Sequence, residues 1–313
     1  MRAMIEAENL SRRYGGMLAV DALNLHVRAG EVVGLLGPNG AGKTTSLRML
    51  AGFLAPSSGR ARIAGHDVER QPHAARRALG YLPEGAPSYG EMNVLGFLQF
   101  IARVRRLSGE RRRGRLDAVI QQLELDDVLA LPIETLSKGY RRRVGLAQAI
   151  LHDPPVLILD EPTDGLDPNQ KQAARALIRG LARDRAILIS THLLEEVPTV
   201  CSRVAVIARG RLLADAEPAE LERRSRYHGA VSFSAPGAGP ARAAISLLPG
   251  VDTVEVEPLG GRVTVFPKPG REILAEVQGI LAAQRVVISE LALERGRLDD
   301  VFRSLTADPA EVA

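Results

Sequence analysis

The chain of 313 residues has one cysteine, no tryptophan and few aromatic residues, 4% in all. A lone Cys201 excludes an internal disulfide and suits a reducing compartment, where a small buried thiol is the expected role. No apolar run approaches the ~18 residues needed to cross a bilayer. Met1-Arg2-Ala3-Met4-Ile5-Glu6 carries no apolar core of a signal peptide, so a cytoplasmic chain is expected. The net charge is +4, with 41 Lys and Arg against 37 Asp and Glu. Arg103, Arg105, Arg106, Arg111, Arg112, Arg113 and Arg115 crowd one stretch, and Arg141, Arg142 and Arg143 another. No aromatic residue interleaves with them, so base stacking has no support and no nucleic-acid partner is expected. Solvated helix faces are the expected role for most of these arginines. Contact with anionic lipid headgroups or an acidic partner surface is the alternative.

What is present is organised. Residues 3–10 and 18–28 read as strands, with Leu23, Leu25 and Val27 alternating against polar neighbours. Glu31 to Leu36 is a short apolar strand running into Gly37-Pro38-Asn39-Gly40-Ala41-Gly42-Lys43-Thr44, and a helix follows from Lys43 to about Leu54. Strands near 60–64 and 79–82 flank a short helix. Over 91–152 the spacing turns helical, through Val94, Leu95, Leu98, Ile101 and Val104 and then Leu116, Val119, Ile120 and Leu123. Alternation then resumes, with strands at 155–160, 186–190 and 203–208 and helices at 169–183 and 193–199. Buried strands alternating with helices predict a parallel sheet covered on both faces.

Composition shifts after Arg226, giving an expected domain at 1–226 and a second at 229–313. Strands near 230–234, 251–257, 262–266 and 285–292, with helices near 240–247 and 270–283, give the order βαββαβ of a ferredoxin-like α+β unit. Its two middle strands are expected to join through Gly260-Gly261, and Ser234 to Pro240 reads as a loop.

The chemistry begins at Gly37–Thr44, which fits G-x-x-x-x-G-K-T between a strand and a helix. Glycines let successive N–H groups converge on phosphate oxygens, and the helix N-terminus adds its dipole. Lys43 is expected at the β- and γ-phosphates and the Thr44 hydroxyl at Mg²⁺, with Thr45 a further nucleotide contact. Asp160 ends an apolar strand and is placed to hold Mg²⁺. Glu161, next to it, is placed to polarise the attacking water. His192 follows a second apolar strand, which parallel pairing delivers to the same sheet edge as Asp160.

With Leu136-Ser137-Lys138-Gly139-Tyr140 opening a helix before Asp160-Glu161, the set resembles the ATPase subunit of an ATP-binding cassette (ABC) transporter. The resemblance covers roughly residues 3–225. The expected fold is therefore an α/β P-loop NTPase with a helical subdomain at about 91–152, plus the C-terminal α+β unit. The resemblance implies that Tyr14 stacks on adenine and that Ser137 and Gly139 grip the γ-phosphate bound to a second copy. It implies that Asp167, in Gly165-Leu166-Asp167, couples two sites, and that Glu84 contacts Mg²⁺ where many members carry Gln. It further implies ATP and Mg²⁺ as ligands, an ATP-sandwich homodimer, and a membrane permease on a separate chain at the inner face of the cell membrane. Arg297-Leu298-Asp299-Asp300-Val301-Phe302 resembles the ending of bacterial ATPases that serve export-type permeases. Leu136 to Asp167 is similar to the gliding-motility and drug-export branch. Lys138 and Tyr140 stand where Gly and Gln are common.

Overall fold

The computed structural model describes residues 3–235, 239–257 and 261–307. Two compact units divide the chain, Met1–Glu217 and Pro218–Ala313. The division lies ahead of the composition shift near Arg226, so residues 218–226 go with the C-terminal unit.

In the first unit, β1 (Ala3–Tyr14) and β2 (Met17–Arg28) form an antiparallel hairpin. They are followed by β3 (Val32–Leu36), α1 (Lys43–Leu50), β4 (Ser58–Ile63), β5 (His66–Asp67), α2 (Pro72–Ala78) and β6 (Leu79–Leu82). Three helices then fall within 91–152: α3 (Val94–Val104), α4 (Gly109–Gln122) and α5 (Lys138–Ile150). The unit closes with β7 (Val156–Asp160), α6 (Pro168–Leu181), β8 (Ala186–Thr191), α7 (Val197–Val200), β9 (Arg203–Ala208) and β10 (Arg211–Ala216).

The central sheet has the order β10-β9-β3-β8-β7-β6 and is parallel from β9 to β6. Every residue of β3, β7 and β8 is buried, as continuous apolar runs between two covered faces require. A second sheet, β2-β1-β4-β5, is antiparallel. The sequence pattern predicted only the parallel sheet, because β1 and β2 alternate without naming their partners. Helix α1 contributes Leu47, Met49 and Leu50 to a core that also takes Leu10, Leu23 and Leu25 from the second sheet and Leu35, Ile158 and Leu188 from the first. Strand β10 was not expected. It returns antiparallel on β9 after Arg209 and Gly210, whose φ values of 50° and 77° suit a tight two-residue hairpin turn. The helix expected over 193–199 is instead a 3₁₀ turn, Leu194–Glu196, followed by the four-residue α7.

The arginines are less idle than solvated faces would be. Arg105 donates to the Arg76 carbonyl at 2.6 Å, Arg115 to those of Leu151 and Ile150 at 3.0 and 2.7 Å, and Arg143 pairs with Glu124 at 2.8 Å. Arg103, Arg106, Arg111, Arg113 and Arg141 are exposed.

The second unit runs α8 (Pro218–Glu222), β11 (Val231–Ser234), α9 (Gly239–Ser246), β12 (Val251–Val256), β13 (Arg262–Pro267), α10 (Leu274–Ala283), β14 (Glu290–Leu293) and α11 (Leu298–Thr306). Its antiparallel sheet has the order β12-β13-β11-β14, with β13 lying between β11 and β12 as in a split βαβ. Phe233, Val263 and Val265 of this sheet pack with Ile245 of α9 and Val277 and Leu281 of α10. Most of the expected turn between β12 and β13, Gly260 included, and the middle of the 234–240 loop lie outside the described residues. Among the described residues no helix is long and apolar enough to cross a membrane.

Candidate functional site

Strand register assembles the site. Leu36 of β3 pairs with Thr191 of β8, Ser190 of β8 with Asp160 of β7, and Leu159 of β7 with Leu82 of β6. The residues just beyond this row are Gly37, His192, Glu161 and, two past Leu82, Glu84. Four segments far apart in sequence therefore end on one sheet edge, where ligands bind in open α/β sheets.

At Gly37 a Cβ would stand 2.3 Å from the Ile207 carbonyl oxygen, so only glycine fits between β3 and β9. Gly42 has φ of 101°, and a Cβ there would meet the Ala19 carbonyl oxygen at 2.6 Å. Pro38, Asn39 and Gly40 are exposed, while Ala41 is buried and gives its carbonyl to the Gly210 N–H at 3.0 Å. The first bond of α1 runs from the Ser46 N–H to the Gly42 carbonyl, so the N–H groups of Lys43, Thr44 and Thr45 have no helical acceptor. Lys43 folds back on the loop and donates to the carbonyls of Gly37 at 2.6 Å and Pro38 at 3.2 Å. Burial holds its pKa below the ordinary lysine value, against the opposing pull of Glu161, Asp160 and Glu84. These unpartnered donors and the turned-in ammonium fit an anionic phosphate chain.

Asp160 is 1% exposed. One carboxylate oxygen, Oδ1, accepts from the Ser190 hydroxyl at 2.5 Å, and the other, Oδ2, is buried with no hydrogen-bond partner. An orphaned carboxylate oxygen beside a phosphate loop fits a hard cation such as Mg²⁺. No group of three or more His, Cys, Asp or Glu among the described residues is arranged to hold a metal. Mg²⁺ commonly binds through one or two carboxylates plus substrate phosphates, and the unpartnered oxygen of Asp160 fits that pattern. Glu84 is exposed and close enough for its charge to act on Lys43.

Glu161 takes a left-handed backbone, φ 50°, which a non-glycine residue keeps only where its surroundings impose it. Its N–H donates to the Ser190 hydroxyl at 3.0 Å, and its carbonyl accepts from the guanidinium of the buried Arg142. The Glu161 carboxylate meets His192 Nδ1 at 2.9 Å. Burial raises the Glu161 pKa above the ordinary carboxylate value, and the His192 hydrogen bond counters part of that rise. His192 itself is about half exposed.

Tyr14, Ser137, Gly139 and Asp167 form no hydrogen bond or ion pair with this cluster among the described residues. Tyr14 ends β1, 43% exposed, with the Arg12 guanidinium 4.7 Å from its ring centroid. Exposed Ser137 caps α5, accepting from the Tyr140 N–H at 3.2 Å, and Gly139 is buried in the first turn. Asp167 caps α6, accepting from the Gln170 N–H at 2.9 Å. Lys138 pairs with Asp164 at 2.9 Å, tying the start of α5 to the loop after β7. Ser190 and Arg142 hold the two carboxylates in place yet were not singled out from sequence. Ser190 carried a signal, a hydroxyl inside an apolar strand, whereas Arg142 was hidden in an arginine run.

A phosphate loop leaving one parallel strand, with carboxylates and a histidine at the ends of its neighbours, defines a P-loop nucleotide hydrolase. The model of the ABC transporter family matches residues 20–164. The daunorubicin resistance ATP-binding protein DrrA3 of Streptomyces coeruleorubidus is 35% identical over 312 residues, 98% of this chain and 97% of that protein. The Nod factor export ATP-binding protein I of Paraburkholderia xenovorans is 39% identical over 220 residues, 70% of this chain and 72% of that protein. A solved structure described as the ATP-binding subunit of an ABC transporter is 30% identical with a TM-score of 0.66, covering 71% of this chain and 92% of its own. The chain belongs to the ATP-binding subunits of ABC transporters and is an ATPase of that family.

Proposed function

We propose that the chain hydrolyses ATP as a sandwich homodimer and thereby drives export through a membrane permease carried on a separate chain. The observation that carries this reading is the Glu161–His192 contact of 2.9 Å, set one residue beyond the strand row and within the field of Lys43. Lys43 and the free N–H groups at the start of α1 bind the β- and γ-phosphates, with the Gly37–Gly42 backbone wrapped around them. Tyr14 offers a ring face to adenine. Glu161 accepts a hydrogen bond from the attacking water, and His192 holds the Glu161 carboxylate and the γ-phosphate in register. Such a positioned base is worth ~10²–10⁴-fold in rate. Thr44, Asp160 and Glu84 are the residues that would hold Mg²⁺, which would supply neutralisation of phosphate charge.

Ser137 and Gly139 form no hydrogen bond with Lys43, Asp160 or Glu161 of their own chain among the described residues, in keeping with a role on the nucleotide of a second copy. Asp167, at the N-terminus of α6, then lies where the two copies meet. Closure on ATP and reopening after hydrolysis move the helices of 91–152, which pass the motion to the permease at the inner face of the membrane. Relatives named for drug resistance and Nod factor export support the direction. The C-terminal unit, with no nucleotide motif, serves an accessory role in regulation or dimer support.

Steady-state turnover tests the assignment. Glu161→Gln should lower kcat by at least about a hundredfold while ATP affinity stays within a few fold. Wild-type turnover in that variant would overturn the reading.

A further inference from the structure

Behind the Glu161–His192 pair lies a second carboxylate, Glu196, in the 3₁₀ turn after β8. It is 2% exposed. A buried carboxylate is costly unless its oxygens are bonded, and here both are. Oε1 pairs with Arg175 of α6 at 3.1 Å. Oε2 accepts from the Thr163 hydroxyl at 2.6 Å and lies 3.4 Å from the Thr191 hydroxyl. Thr191 in turn accepts from the Leu193 N–H at 3.0 Å, which fixes the turn through His192.

These partners lie on three segments. Thr163 is two residues after Glu161, Thr191 immediately precedes His192, and Arg175 is on the helix that Asp167 caps. Thr163 and Thr191 are both buried, 3% and 1% exposed. We infer that Glu196 is a positioning residue, which clamps the loop of Glu161 to the turn of His192 and ties both to α6. It rests on the reading that Glu161 and His192 act together on the attacking water. Glu196 is buried and makes no hydrogen bond or ion pair with either side chain of the pair among the described residues, so its effect passes through the backbone at positions 163 and 191. Because α6 begins at Asp167, the same carboxylate joins the segment proposed to face the second copy to the pair that orients the water.

The geometry makes a demanding prediction, since a shift of ~1 Å in a catalytic group costs about a hundredfold in rate. Glu196→Gln loses the charge that holds Arg175 and weakens the bond to the Thr163 hydroxyl, since a neutral amide oxygen accepts less strongly than a carboxylate. In the full chain, kcat should fall about tenfold to a hundredfold with the KM for ATP within about twofold. Thr163→Ser should keep wild-type turnover and Thr163→Val should fall with Glu196→Gln. In a Glu161→Gln background, Glu196→Gln should cost nothing further, because groups acting as a unit are not additive.

Wild-type kcat in a folded Glu196→Gln variant would overturn the inference. So would an equal further loss in the Glu161→Gln background, or a parallel loss of ATP affinity, since each marks a general effect on stability. If Glu196→Gln fails to fold, the two Thr163 variants decide alone, and equal turnover in them refutes the clamp. Wild-type turnover in Glu161→Gln itself would instead refute the roles proposed for the pair.

Discussion

Replacing Asp160 by Asn separates the metal from the fold. Asp160 is 1% exposed, with one oxygen bonded to Ser190 and the other without a partner. Asparagine keeps the shape and the Ser190 bond but loses the charge that a hard cation requires. Without nucleotide the variant should stay folded. Relief of a buried charge opposes the cost of an unpaired amide, ~1–3 kcal/mol, so the melting temperature should move by only a few degrees. The change appears on adding ligand. At a hundredfold excess over Kd, a non-hydrolysable ATP analogue with Mg²⁺ should stabilise the wild type by ~2.7 kcal/mol. For a unit the size of Met1–Glu217, that is about 5–11 °C. If the substitution weakens Mg–nucleotide binding about a hundredfold, the same concentration yields only ~0.4 kcal/mol, or about 1–2 °C. Paired thermal melts with Mg²⁺ and with EDTA read the difference. An unchanged Mg²⁺-dependent increment in Asp160→Asn would refute the assignment of the orphaned oxygen to the metal.

Tyr14→Ala should weaken ATP binding by ~1–3 kcal/mol, borrowing the magnitude of base–aromatic stacking, with Tyr14→Phe near neutral; equal affinities by calorimetry would leave Tyr14 an ordinary strand-end residue. Glu84→Gln should raise the Mg²⁺ concentration for half-maximal ATPase activity, with nucleotide affinity in EDTA unchanged; an unaltered Mg²⁺ dependence would remove Glu84 from the metal site. Burial and the nearby Arg105 lower the His152 pKa to about 4, and its Nε2 sits 3.0 Å from the Leu79 carbonyl. The unfolded chain therefore binds the proton more readily, so this contribution is complete above the ordinary value of 6.5 and is lost as pH falls towards 4. About 3 kcal/mol of acid destabilisation is at stake, and denaturant titrations from pH 7 to 4 should show a shallower loss in His152→Gln; identical slopes would refute it.

How much was legible in the sequence depended on whether a segment carried its own instructions. The phosphate loop did, since Gly37 and Gly42 are demanded by backbone approach and a positive φ that no other residue meets as well. Strands β7 and β8 did too, because unbroken apolar runs, Val156–Leu159 and Ala186–Ile189, suit a strand covered on both faces. Strand β10 did not, with its exposed Arg211 and Leu213 and an edge position that gives a weak alternation. The end of the first unit was displaced for a similar reason, since α8 is a single short turn without compositional contrast. Glu196 was invisible in sequence, because chain order does not mark which of two adjacent glutamates is buried, and only the fold brings Arg175 and Thr163 to it. Arg142 and Arg115 were read among solvated arginines, because a run of like charge does not reveal which member turns inward.

The central claim is that each nucleotide site is completed by a second copy of the chain. It is tested most directly by light-scattering gel filtration of Glu161→Gln with ATP and Mg²⁺. The predicted species has twice the 33.7 kDa mass of the chain, and it disappears when Ser137→Arg is added while weak monomeric ATP binding persists. A Glu161→Gln chain that binds ATP yet elutes only as monomer, or a dimer indifferent to Ser137→Arg, would contradict it.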